Sequence, residues 1–122
     1  MATILLIDDE AQINNLLNKM LVRDGHKVFT ARDGVEGVQD FNKLNPDLVI
    51  IDIIMPKKNG IEVIKELHEF HPTLPMILIT GASSKMTAEL NLDSIKAMGV
   101  VGALQKPFAL QQMRDTLQIA LN

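Results

Sequence analysis

The 122-residue sequence predicts an α/β fold: a mostly parallel five-stranded sheet with helices on both faces. Three observations carry this reading. Short apolar runs rich in β-branched residues alternate five times with segments whose apolar residues recur at helical steps. The runs centred on Leu5, Ile50 and Leu78 are apolar throughout, as in strands covered on both faces rather than one. Several of them also end abruptly in a charged or hydroxyl residue, which places polar chemistry at strand ends.

Thr3 to Ile7 is the first strand, and it runs into Asp8, Asp9 and Glu10. The first helix follows, with Ile13, Leu16, Leu17, Met20 and Leu21 on one face, and Gly25 stops it. Taken alone, the acids suit a helix start: Asp9 as cap, and Glu10 near the positive end of the helix. Val28 to Thr30 is a short second strand, and Gly34 to Leu44 is a helix with Val35, Val38, Phe41 and Leu44 inward, ended by Asn45-Pro46.

Leu48 to Ile51 is the third strand, terminated by Asp52, and Pro56 and Gly60 enforce a tight loop. A helix from about Gly60 to Phe70 buries Ile61, Ile64 and Leu67 and closes at Pro72. His68 and His71 lie three apart near its end, a spacing that could ligate metal, but with no third ligand nearby they read as solvated. Met76 to Ile79 is the fourth strand, ending in Thr80-Gly81. Gly81 to about Thr87 has no apolar period and reads as a loop, before a fourth helix from roughly Ala88 to Met98 capped by Gly99. Val100 to Leu104 is the fifth strand, ending in Gln105-Lys106-Pro107. The fifth helix carries Leu110, Met113, Leu117 and Leu121.

Composition narrows the function. The net charge is -3 and no basic stripe is present, which argues against direct nucleic-acid binding. With no cysteine there is neither a disulfide framework nor thiolate chemistry. The apolar runs are only strand length and no charged leader precedes them, so a cytoplasmic protein without a membrane span is expected, with residues 1–122 forming one domain.

Sheets of this class bind ligands at the carboxyl ends of their strands. Asp8 and Asp9 end the first strand, Asp52 the third, Thr80 the fourth and Lys106 the fifth, so all surround one crevice. Each has a dull explanation by itself. Together, a carboxylate cluster, a hydroxyl and a lysine at equivalent positions form a strong joint signal, and the converging acids suit a hard divalent cation such as Mg²⁺.

These residues carry a resemblance. IDDE at 7–10, DIIMPKKNG from Asp52, ITG at 79–81 and KPF at 106–108 resemble the receiver domain of bacterial response regulators, over essentially the whole chain. The resemblance implies a CheY-like, flavodoxin-like sheet of order 2-1-3-4-5, which is the order of CheY itself. It also implies a cis peptide at Lys106-Pro107. By the same resemblance Asp52 accepts a phosphoryl group from a sensor histidine kinase or phosphotransfer protein and slowly loses it, as a switch rather than an enzyme. Asp8, Asp9, Asp52 and the backbone carbonyl of Ile54 would hold Mg²⁺, while Thr80 and Lys106 would bind the phosphoryl oxygens. The implied output surface is the fourth helix, fifth strand and fifth helix.

An alternative is a Mg²⁺-dependent phosphatase of the haloacid dehalogenase type, but that class spaces two aspartates one residue apart after a strand, and here Ile54 follows Asp52 at that spacing. A flavodoxin-like cofactor carrier would want a phosphate loop after the first strand, where acids repel phosphate. Some positions depart from the commonest receiver pattern: Ala103 replaces an aromatic residue, Ile54 and Ala82 replace polar ones, and the segment from Thr80 to Lys106 is longer. The expected switch is therefore movement of the loop from Gly81 to about Thr87, not rotation of a ring.

Overall fold

The computed structural model describes residues 1–53, 59–81 and 96–122. Five parallel strands form one sheet in the order β2-β1-β3-β4-β5. They are β1 (Thr3–Ile7), β2 (Lys27–Ala31), β3 (Leu48–Asp52), β4 (Met76–Thr80) and β5 (Val100–Gln105). Helices α1 (Ala11–Arg23), α2 (Gly34–Leu44) and α3 (Gly60–Phe70) and the C-terminal helix (Leu110–Leu121) complete the described elements. Most of the predicted helix from Ala88 to Met98 and of the loop before it lies outside the described residues. Lys96 and Ala97 are helical, and Gly99, at φ +87, closes that turn as expected.

The uniformly apolar strands are buried on both faces because alternate residues feed two cores. Leu5, Ile7, Val49, Ile51 and Leu78 pack with Phe41 of α2 and Val63, Ile64 and Leu67 of α3. Ile4, Leu6, Leu48, Ile50, Ile77 and Ile79 pack with Leu17, Met20 and Leu21 of α1 and Met113 and Leu117 of the C-terminal helix. Each such side chain contributes roughly 1.5–3 kcal/mol when fully buried, so a one-residue slip of any central strand would mismatch both layers.

Register sets the site. Ile7 pairs with Ile51, Asp52 with Ile79, and Thr80 with Gln105, so the strand ends come level at one edge of the sheet. Local caps hold the returning helices. Asp33 accepts the Glu36 N–H at 2.9 Å to start α2, and Asn59 accepts the Glu62 N–H at 3.0 Å to start α3. Asn45 ends α2 in the left-handed region at φ 49.

Some faces differ from the apolar period. Val35 is 43% exposed, whereas Phe41 is buried and Val38 and Leu44 pack against the same core as expected; α2 also buries Gly34 and Gly37, where a Cβ at Gly37 would run into the side chain of Ile7. Leu16 is exposed on α1 whereas Asn14 is buried. The two histidines at the end of α3, His68 within it and His71 as its cap, are half-buried rather than solvated: the His71 ring lies 4.5 Å from that of Phe41, and His68 Nδ1 is enclosed near Gly99. Among the described residues no helix is long and apolar enough to cross a membrane.

Candidate functional site

Asp8 follows the last residue of β1, and three contacts fix it. Its N–H donates to the carbonyl of Ala31 at 3.1 Å, its own carbonyl accepts from Asn14 Nδ2 at 2.7 Å, and its Oδ1 accepts the Glu10 N–H at 2.9 Å. The buried Asn14 thus anchors the turn that presents the acids. Asp52 is the final residue of β3 and Thr80 that of β4, and both are buried. The Lys106 N–H donates to the Thr80 carbonyl at 2.7 Å, which ties the end of β5 to that of β4 immediately before the cis Lys106-Pro107 peptide.

The Lys106 ammonium reaches into the centre of the acids. Nζ lies 2.8 Å from Glu10 Oε1 and 3.3 Å from an oxygen of each of Asp8 and Asp52. Burial works against the charged ammonium, but the Glu10 hydrogen bond and the charges of Asp8 and Asp52 outweigh it and hold its pKa above the ordinary lysine value. Burial pushes the Asp8 carboxyl up to about 6, with the Asp52 charge adding to it and the Glu10 N–H and Lys106 opposing it.

Asp8, Glu10 and Asp52 each offer a carboxylate oxygen within 4.8 Å of the others. Asp8 Oδ2 is enclosed and has no hydrogen-bond partner among the described residues, since its 3.3 Å approach to Lys106 is a charge contact only. An oxygen-rich set with an under-satisfied buried carboxylate oxygen fits a hard divalent cation such as Mg²⁺.

The structure therefore brings together Asp8, Asp52 and Lys106 as expected, with Thr80 at the adjoining strand end. Asp9 is exposed and does not join the close carboxylate trio. Ile54 lies outside the described residues. Glu10 was missed as a site residue: the sequence reading gave it only to the helix end. It is in fact the residue capping α1, yet its side chain makes no capping hydrogen bond and is turned to Lys106 instead. A glutamate at a position that favours shorter capping side chains was the available signal.

Residues 4–118 match the family model described as the response regulator receiver domain. The chain is 37% identical over 108 residues to the transcriptional regulatory protein CpxR of Klebsiella pneumoniae, covering 88% of this chain and 44% of that protein. It is 32% identical over 118 residues to the alkaline phosphatase synthesis transcriptional regulatory protein PhoP of Bacillus subtilis, covering 97% and 48%. The chain thus spans about half the length of these curated relatives. A solved response regulator receiver domain protein from Clostridium thermocellum superposes with a TM-score of 0.88 at 31% identity, covering 100% of this chain and 95% of that one. These matches decide against the phosphatase alternative. With a matching motif set, sheet order and strand-end acid cluster, the chain belongs to the response regulator receiver domain family of two-component signalling.

Proposed function

We propose that Asp52 is the phosphoacceptor of this receiver domain and that residues 1–122 act as one phosphorylation-controlled binding unit. Receiver domains are phosphoacceptor switches that meet histidine kinases or phosphotransfer proteins. The observation that carries the assignment is the approach of Lys106 Nζ to 3.3 Å from Asp52 Oδ2, at a buried carboxylate on the last residue of β3.

In the proposed step an oxygen of Asp52 attacks phosphorus as the P–N bond of a phosphohistidine breaks. The donor imidazole leaves with that electron pair, and water later hydrolyses the acyl phosphate to the carboxylate and inorganic phosphate. Asp8, Asp9, Asp52 and the carbonyl of Ile54 would hold Mg²⁺, which when bound screens the phosphoryl oxygens. Lys106 supplies a fixed positive charge at the same place, and Thr80 a hydroxyl at the neighbouring strand end. A kinase that draws on ATP puts this exchange in the cytoplasm.

Output is proposed to run through β5, the C-terminal helix and the predicted helix of residues 88–98. The exposed Val101 and Ala103 on the edge strand and Ile119, which is 72% exposed, offer apolar contact area there. Intact-mass spectrometry after incubation with acetyl phosphate and Mg²⁺ tests the acceptor: one phosphoryl group is expected on the wild type and none on Asp52→Asn. Undiminished labelling of Asp52→Asn would refute the assignment.

A further inference from the structure

The geometry points to Glu10 as a positioning residue for phosphoryl transfer: its carboxylate tethers the Lys106 ammonium in the resting domain and must release it when Asp52 is modified. The inference rests on the phosphoacceptor reading of Asp52 and deepens it.

Two observations carry it. The Glu10 Oε1 contact with Nζ, at 2.8 Å, is shorter than either 3.3 Å contact to the buried aspartates, and it alone has the length expected of a charge-assisted hydrogen bond. The backbone of Glu10 is held as well, because its N–H donates to Asp8 Oδ1. Its side chain is thereby launched from a fixed point across the crevice, and it forgoes the capping bond that its position at the head of α1 would allow. The side chain of Glu10 is 55% exposed whereas those of Asp8 and Asp52 are almost fully enclosed, so it can swing into solvent at little cost.

A phosphoryl group on Asp52 adds negative oxygens within reach of the same ammonium. Lys106 Nζ already faces carboxylate oxygens of Glu10, Asp8 and Asp52, one for each of its three N–H donors, so an added phosphoryl oxygen competes for a donor in use, and Glu10, the exposed partner, is the one able to leave. Neutralising Glu10 should therefore favour transfer, and this effect should require Lys106.

The test is the rate of labelling by acetyl phosphate with Mg²⁺ in wild type, Glu10→Gln, Lys106→Met and the double variant, read by intact mass. Glu10→Gln is expected to label roughly fivefold faster than wild type, the scale of a half-exposed ion pair. In the Lys106→Met background the same change should have less than about a twofold effect, since only the general repulsion of the incoming anion is relieved there. A side-chain NMR resonance of Lys106 in the unphosphorylated protein provides a readout that does not depend on transfer, and it should move in Glu10→Gln but not in Glu36→Gln. Equal rates for wild type and Glu10→Gln, or the same acceleration with and without Lys106, would overturn the proposal, as would an unmoved Lys106 resonance. A wild type that takes no label would overturn the phosphoacceptor reading, and this proposal with it.

Discussion

The Lys106 ammonium meets a carboxylate oxygen of Asp52 at 3.3 Å across 54 residues of sequence. β4 lies between their two strands, so the contact reaches across the end of β4 and links the end of β3 to the residue that follows β5. One ammonium faces three carboxylates, and burial together with the Asp52 charge pushes the Asp8 carboxyl up to about 6.

Removing that ammonium should expose the cost of the buried acids. Lys106→Met is expected to lose about 3 kcal/mol at pH 8, the lower end of what breaking a buried ion pair costs, because the Lys106 side chain keeps 17% of its exposure. The loss should shrink at pH 5, where Asp8 can take up a proton. Denaturant midpoints at the two pH values measure this, and a pH-independent loss would contradict it.

Asp8→Asn should do the reverse. The folded carboxyl holds its proton up to about 6, against 3.8 for an ordinary aspartate, so the folded state binds more protons between those values. Stability from this group is present below about pH 4 and falls as pH rises to 6. Above that an ionised, buried Asp8 opposes folding by up to about 3 kcal/mol, at 1.36 kcal/mol per pH unit. Asp8→Asn is therefore expected to be more stable than wild type at pH 7.5 and equal to it at pH 4. Parallel urea melts at both pH values decide the matter.

The strands and the edge that carries the chemistry were legible because β-branched runs ending in Asp, Thr and Lys are local signals. What contacts decide was not. Asp52 and Thr80 belong to their strands rather than following them, since pairing with Ile79 and Gln105 extends the ladder one residue past the apolar run. On α2 Phe41, Val38 and Leu44 face the core as expected and only Val35 was misplaced, because apolar periodicity cannot register a glycine, and Gly37 is what lets this helix lie against Ile7. The exposure of Val35 follows, and Val35→Ala should change stability by less than about 0.5 kcal/mol. The role of Glu10 was hidden for a similar reason: its partner is 96 residues away.

Magnesium should stabilise the fold, because a divalent cation relieves carboxylate repulsion that only the folded chain assembles. At tenfold excess over its dissociation constant the gain is about 1.4 kcal/mol. Asp9→Asn, Asp8→Asn and Asp52→Asn should each weaken the response. A wild-type denaturant midpoint indifferent to millimolar Mg²⁺ would contradict the metal assignment.

Gly60 is required for close approach rather than for an unusual backbone angle. Its N–H donates to the Ile53 carbonyl at 2.7 Å, and a Cβ placed on it would overlap the carbonyl oxygen of Asp52 and crowd the Ile53 backbone at 2.7 Å. Those atoms are main chain at the end of a fully buried strand, so no rotamer change can relieve the clash. Gly60→Ala must either push α3 away or displace the residue that follows Ile51. The expected cost is about 3 kcal/mol, the upper range for overpacking a well-filled site. Labelling by acetyl phosphate should also fall by more than about tenfold, since a displacement near 1 Å is enough to disrupt an in-line attack. Urea melts and intact-mass labelling of the same preparation separate the two effects. A variant that melts like wild type and labels at its rate would show that the strand end has room to move.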